Sequence, residues 1–188
     1  MSTDRRTVLA DAAIDVLAEA GIRGLTHRAV DRAANLPPGT TSAYHRTRQA
    51  LFTALVRRLV ALDQAELQAT GERTPVPRSP DELAAGIAAF VEQRLTSDGR
   101  RRSLARYACA IESVHHPELR EILVPRHNAG RQVVRDFLAA RGVADAEDRT
   151  VTLLTCVDGL VFDRLVGGGA VSEQEIRGLV TAALRQGP

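Results

Sequence analysis

The sequence contains no lysine and no tryptophan, and only 3% of its 188 residues are aromatic. It also has no apolar run of about 18 residues, the length that a membrane-spanning helix requires. Near its N-terminus it has none of the apolar character of a secretory signal. We therefore expect a cytoplasmic protein without membrane segments.

Cysteine is scarce as well. Cys109 and Cys156 each lie within apolar helical sequence, and no CxxC pair occurs. This pattern predicts two buried free thiols in a reducing compartment. His115 and His116 point to different sides of a helix, and with His127 they find no acid or cysteine at the usual metal-ligand spacing. We expect no metal and no other cofactor.

The motifs of common enzyme classes are also missing. The chain has no glycine-rich phosphate loop after a strand, no GxSxG and no HExxH. Asp158 and Asp163 stand five residues apart, so they do not share one face of a helix. We expect no enzymatic activity.

Charge is unevenly distributed along the chain. Residues 1–60 hold nine arginines against five acidic residues, a net charge of +4, whereas the entire chain carries +2. A basic N-terminal third favours an anionic partner for that part of the protein.

Apolar residues recur at intervals of three and four along almost every segment, which predicts an all-α fold of about nine or ten helices. Thr26, Thr47, Ser79 and Ser172 are predicted N-caps, the last with Glu175 in a capping box. Helices are expected at about 7–20, 27–34, 38–45, 80–97, 101–115, 117–124, 126–141, 146–166 and 172–186, and a long fourth helix after Thr47 is expected to carry Leu51 to Val60.

The proline-rich stretch 70–80 suggests a division of the chain. We predict a helix-turn-helix DNA-binding domain over 1–50, a connecting helix and linker over 51–79, and a helical effector-binding and dimerisation domain over 80–188.

The stretch "NLPPGTTSAYHRTRQALF", residues 35–52, combines small, hydroxylated and basic residues. In a helix-turn-helix, the second helix enters the major groove and presents its N-terminal residues to base edges. Hydroxyls can bond to bases or phosphates, and cationic side chains hold the backbone. The start of the second helix can direct amides and a cation at another phosphate. The predicted DNA-contacting residues are Thr26, His27, Arg28, Pro38, Gly39, Thr40, Thr41, Ser42, Tyr44, His45, Arg46 and Arg48.

Residues 7–52 also resemble the DNA-binding domain of the TetR family of transcriptional regulators. The resemblance rests on the AG that ends the first helix, Thr26, the GT at 39–40, Tyr44, Arg48 and the AL pair at 50–51. The family usually has an aromatic residue where Ser42 or Ala43 lies and a phenylalanine where His45 lies.

The resemblance implies that the C-terminal domain binds a small molecule and forms a homodimer. Two-fold pairing would place two recognition helices about 34 Å apart on a palindromic operator. The predicted interface stripes on the last two helices are Val151, Leu154, Val157, Val161 and Leu165, then Ile176, Leu179, Val180, Ala183 and Leu184. The alternative is that these stripes pack against the core of their own subunit. The candidate ligand-binding residues are Phe90, Tyr107, Glu112, His127, Asn128, Arg131, Asp158 and Phe162.

The sequence thus predicts a sequence-specific DNA-binding transcriptional regulator, a repressor released from its palindromic operator by an unidentified small-molecule effector. The alternative is a helical small-molecule binding protein whose N-terminal domain is purely structural.

Overall fold

The computed structural model describes residues 4–73, 75–123 and 129–185. These residues form ten α-helices and no strand, which confirms the predicted all-α class. The helices are α1 (Arg5–Gly24), α2 (His27–Ala33), α3 (Thr40–Tyr44), α4 (Arg48–Arg73), α5 (Pro80–Leu95), α6 (Ser97–Ser113), α7 (Pro117–Leu123), α8 (Ala129–Ala139), α9 (Ala146–Gly167) and α10 (Glu173–Leu184). None of these helices combines the length and the apolar character needed to cross a membrane.

The first of two compact units contains the N-terminal helices. Its described residues are 4–63 and 101–123, so the later part of α6 and all of α7 pack with α1 to α4. Apolar residues of α1, α2, the part of α4 up to Asp63, α6 and α7 meet in one core. Fully or almost fully buried members of that core are Leu9, Leu17, Leu25, Val30, Leu51, Leu55, Leu59, Cys109, Leu119 and Leu123.

The second unit comprises the described residues within 64–100 and 129–185. Helix α10 packs on α5 and α9, and α8 packs on α9. The predicted boundaries after residues 50 and 79 divide the chain by function, whereas the two compact units divide it by packing. The predicted functional domains therefore stay a prediction.

Several predicted helix starts are confirmed because they depend on local chemistry. Oγ1 of Thr26 accepts the amide of Ala29 at 3.1 Å, and Oγ of Ser79 accepts that of Glu82 at 3.1 Å. The predicted capping box also forms: Oγ of Ser172 accepts the amide of Glu175, whose carboxylate accepts the amide of Ser172 at 2.8 Å.

Helix bounds differ from the predictions where glycine intervenes. Gly21, predicted to stop the first helix, adopts a φ of 64° and breaks the helical path inside α1, which then resumes to Gly24. The third helix was predicted from Pro38 but begins at Thr40, because Gly39 takes a φ of 90° that no helix interior accepts. The predicted start of the eighth helix at 126 lies outside the described residues.

Cys109 is buried, as predicted, and burial raises the pKa of its thiol to about 12. The prediction for Cys156 is wrong, since this residue is exposed on α9. Periodicity places it on the flank of the helix that no neighbouring helix covers.

The predicted dimer stripes are mostly buried inside their own chain. Val157, Val161 and Leu165 on α9 are 3–5% exposed, and Ile176 and Val180 on α10 are at most 1% exposed. They pack among α5, α9 and α10, so the prediction that these five side chains form a subunit interface is wrong. Of the predicted set only Val151 is exposed; Leu154, Leu179 and Leu184 are half-buried and Ala183 is buried.

Candidate nucleic-acid interface

Helices α2 and α3 form the predicted helix-turn-helix. The turn between them is built from backbone bonds, with the amide of Leu36 donating to the carbonyl of Asp31 at 2.9 Å. Asn35 and Gly39 take positive φ values of 51° and 90°, which short polar residues and glycine tolerate best. The turn therefore reverses the chain within six residues and sets α3 beside α2.

Asp31 on α2 holds the beginning of α3. Its Oδ2 accepts the amide of Gly39 at 2.8 Å, and its Oδ1 accepts both the amide of Thr41 at 2.7 Å and the Thr41 hydroxyl at 2.6 Å. Burial acts to raise the pKa of Asp31, but these hydrogen bonds and the nearby His27 outweigh it and lower the pKa below its ordinary value. The carboxylate is thus ionised and fully engaged.

The structure contradicts a direct DNA contact for Thr41. Its side chain is completely buried, and its hydroxyl is bonded to Asp31. Its predicted neighbour Thr40 is half-buried and donates its hydroxyl to the carbonyl of Pro37 at 2.6 Å. These two threonines shape the helix start, which leaves Ser42 and Tyr44 as the exposed hydroxyl-bearing residues of α3.

His45 is likewise buried, at 6% exposure, which contradicts its predicted role as a phosphate contact. Among the described residues its Nε2 has no hydrogen-bond partner. Burial, together with the charges of Arg6 and His27, lowers the pKa of His45. Its carbonyl accepts from Nε2 of His27 at 2.6 Å, so that nitrogen of His27 is not available to a phosphate either.

The remaining predicted residues are exposed around α3. The exposed set consists of Thr26, Arg28, Pro38, Gly39, Ser42, Tyr44, Arg46 and Arg48. Arg48 also donates to the carbonyl of Ile22, a contact that joins the start of α4 to the end of α1. The outward face of α3 is therefore uncharged, with the small residues Ser42 and Ala43 beside Tyr44, and arginines lie before and after it.

Sequence reasoning missed two residues of this region. Arg6 lies over the ring of Tyr44, with 5.5 Å between guanidinium carbon and ring centroid, so a cation from α1 joins the same surface. The basic pair Arg5–Arg6 was the available signal. Asp31 gave no such signal, because an acid in a basic segment resembles an ordinary exposed helical residue.

The candidate ligand-binding residues are not gathered in one unit. Tyr107 and Glu112 are half-buried in the first unit, where Glu112 lies 3.9 Å from His116. In the second unit Phe90 contacts the guanidinium of Arg94 at 4.9 Å and Arg131 pairs with Glu147. Asp158 and Phe162 are exposed on α9, and His127 and Asn128 lie outside the described residues.

Comparison with known proteins gives a match to a described domain. Residues 78–186 match the family model "Tetracyclin repressor-like, C-terminal domain". The match covers more than half of the chain and lies entirely beyond the helix-turn-helix.

Two curated proteins are similar over almost the entire chain. "HTH-type transcriptional regulator BetI" of Serratia proteamaculans is 26% identical over 189 residues, covering 96% of this chain and 91% of that protein. The protein of the same description from Burkholderia thailandensis is 27% identical, covering 88% of this chain and 84% of that protein.

Solved structures share the fold over their full length. A structure described as a TetR family member from Streptomyces coelicolor superposes with a TM-score of 0.73 at 24% identity, covering 98% of this chain and 100% of that chain. The multidrug binding protein EbrR, complexed with ethidium, gives 0.70 at 25% identity, covering 97% and 100%.

Proposed function

Because the chain belongs to the TetR family of transcriptional regulators, we propose that it binds a palindromic operator and represses transcription until a small molecule releases it. The observation that carries the proposal is the outward face of α3, where Ser42 and Tyr44 are exposed while Thr41 and His45 are buried. A short helix whose exposed residues are uncharged, with the small side chains of Ser42 and Ala43 beside Tyr44, fits a major groove.

Arginine supplies the affinity for the DNA backbone in this proposal. Arg28, Arg46 and Arg48 are exposed, and Arg6 contacts Tyr44. Contacts of this kind neutralise phosphates and hold the protein in register without selecting a sequence. Base selection then falls to Ser42 and the neighbouring surface of α3.

A dimer is required for a palindrome, and the exposed side of α9 supports one. Val151, Phe162 and Val166 are 41%, 46% and 74% exposed and recur at helical spacing along that side. Exposed Thr155 and Asp158 lie between Val151 and Phe162 on that side, so the apolar surface is concentrated at Phe162 and Val166. Exposed apolar side chains grouped in this way favour contact with another protein surface. We therefore propose that the homodimer contact includes the exposed side of α9, in place of the buried stripes.

Effector binding is proposed for residues 80–188, the region that largely coincides with the family match. The effector must bind the DNA-competent and released states unequally, since only differential affinity shifts such an equilibrium. By linkage, operator DNA must weaken effector binding by the same factor. With four aromatic residues in this region, large flat ligands find little to stack on, which favours a compact or aliphatic effector.

The test is selection of binding sites from a random duplex pool by the full-length protein. A palindrome with half-sites about one turn apart is expected. Selection of no sequence, with equal retardation of every duplex, would contradict the proposal and favour the helical small-molecule binding protein. Compounds that raise the Tm of the protein are then assayed for release of the selected duplex, and the operator should lower their affinity reciprocally.

A further inference from the structure

Helix α3 is held at both ends by side chains from one face of α2. Asp31 accepts the amides of Gly39 and Thr41 at its start, and Nε2 of His27 lies 2.6 Å from the His45 carbonyl at its end. Positions 27 and 31 are four residues apart, so both side chains project from the same side of α2.

A five-residue helix needs such support. Isolated helices of this length are unstable in water, because nucleation fixes several residues for a single hydrogen bond. A helix of this kind usually relies on an N-cap side chain that accepts the amide two or three positions later. Here the N-cap is Gly39, which has no side chain to offer, and Asp31 takes over that role from another helix.

We infer that Asp31 is a positioning residue that determines the sequence specificity of α3, acting through Gly39 and Thr41 without touching DNA. The inference rests on the proposed function. Asp31 is 2% exposed, and its two oxygens accept three hydrogen bonds, all from the first residues of α3 and its N-cap. The orientation of Ser42 and Tyr44 towards a groove therefore depends on this carboxylate.

Replacement by asparagine tests the carboxylate specifically. Asparagine has one acceptor oxygen in place of two, so its amide NH₂ group must face either the amide of Gly39 or the amide of Thr41. A buried donor then loses its acceptor and the start of α3 loosens. The change in charge has the opposite effect on DNA affinity, because removal of a negative charge strengthens attraction to any duplex.

In Asp31→Asn, the affinity for the selected operator and the affinity for a random duplex should therefore change differently. Full-length protein is titrated against its selected operator and against a random duplex at the same salt concentration. We expect operator affinity to fall by about tenfold to a hundredfold, while affinity for the random duplex stays equal or rises slightly. Thr41→Ser should resemble the wild type, and Thr41→Val, which loses only one of the three bonds, should be intermediate.

Two controls exclude simpler explanations. Glu19→Gln removes one exposed negative charge from α1 of the same unit and should leave the ratio of the two affinities unchanged. Loss of both affinities in proportion to the unfolded fraction, measured by thermal denaturation, would reduce Asp31 to a general stabilising role and overturn the inference.

Amide hydrogen exchange provides a readout that needs no DNA. In Asp31→Asn at least one of the amides of Gly39 and Thr41 should exchange about tenfold faster or more, with α1 and α4 unchanged. Unchanged exchange at both amides would overturn the inference. A wild type that prefers no sequence would overturn the proposed function, whereas a preference that survives in Asp31→Asn would overturn this inference alone.

Discussion

His45 is a titratable side chain enclosed in the DNA-binding region with cationic neighbours. Burial, Arg6 and His27 lower its pKa below the ordinary value of 6.5, and its Nε2 has no hydrogen-bond partner within the described residues. As pH falls below about 6.5 the unfolded chain binds this proton before the folded chain does. The free energy of unfolding therefore decreases on acidification from that point downwards.

The first prediction concerns His45→Phe. Because Nε2 of His45 has no hydrogen-bond partner to lose, the variant should be more stable than the wild type by about 1 kcal/mol at neutral pH. The difference in the free energy of unfolding between the two proteins should widen between pH 6.5 and 5.5, because only the wild type has a side chain at this site that the unfolded chain protonates more readily. Urea denaturation across this pH range measures both effects, and parallel curves for the two proteins would contradict the lowered pKa.

The second prediction separates two exposed side chains near α3. Ser42→Ala should weaken discrimination between bases at one operator position by about 1–3 kcal/mol, because Ser42 carries an exposed hydroxyl on α3. Arg46→Ala should weaken binding to every duplex alike and reduce the salt slope by about 1. Binding titrations at several salt concentrations measure both quantities, and identical behaviour of the two variants would argue against α3 as the base-reading element.

At the scale of elements, the corner between α5 and α6 depends on Gly99. A Cβ at this position would lie 1.8 Å from the carbonyl oxygen of Gln93, in the last turn of α5. Ser97, two residues earlier, already adopts a φ of 45°. The backbone approach that closes the corner is possible only without a side chain at residue 99.

The third prediction follows from the close contact between the backbone at Gly99 and the carbonyl of Gln93. Gly99→Ala must displace backbone and should lower the free energy of unfolding by about 1–3 kcal/mol. Gly86→Ala is the matched control, because residue 86 is exposed on α5 with nothing within 4 Å of a new Cβ. That substitution should stabilise the helix by about 0.5–1 kcal/mol. Equal effects of the two substitutions in thermal denaturation would refute the packing at Gly99.

Elements were predictable from sequence where their determinants are local. The caps at Ser79 and Ser172 each involve residues three apart, so the pattern alone identified them. The bond from Asp31 to Thr41 joins two helices across a turn, and no periodicity reveals it. The apolar stripe of α9 was visible, but periodicity does not say whether a neighbouring helix or a second subunit covers it. The caps were therefore predictable, whereas the roles of Thr41, His45 and Val157 were not.

At the scale of the molecule, the proposed dimer leads to the fourth prediction. Val166→Glu places a charge on the outer face of α9, at a residue that is 74% exposed in the single chain. The variant should fold normally but dissociate at concentrations at least about tenfold higher than the wild type, because a buried unpaired charge opposes association. Sedimentation velocity measures the dissociation, and operator binding should weaken in parallel.

Val114→Glu is the matched control for that experiment. Residue 114 follows α6 and is 73% exposed, and it has no place in the proposed interface. Loss of the dimer in both variants would indicate non-specific effects of charge, and a fully dimeric Val166→Glu would remove α9 from the interface.

The first compact unit is assembled from two separate stretches of chain, 4–63 and 101–123. Leu119 and Leu123 come from the second stretch, yet they are part of the same core as Leu9 and Leu17. A protein engineer who transplants the operator-reading helices into another regulator with a single splice after residue 63 would leave that core open to water. A chimera that keeps this core closed requires three junctions, after residue 63 and on both sides of 101–123, so that the second stretch is transferred as well.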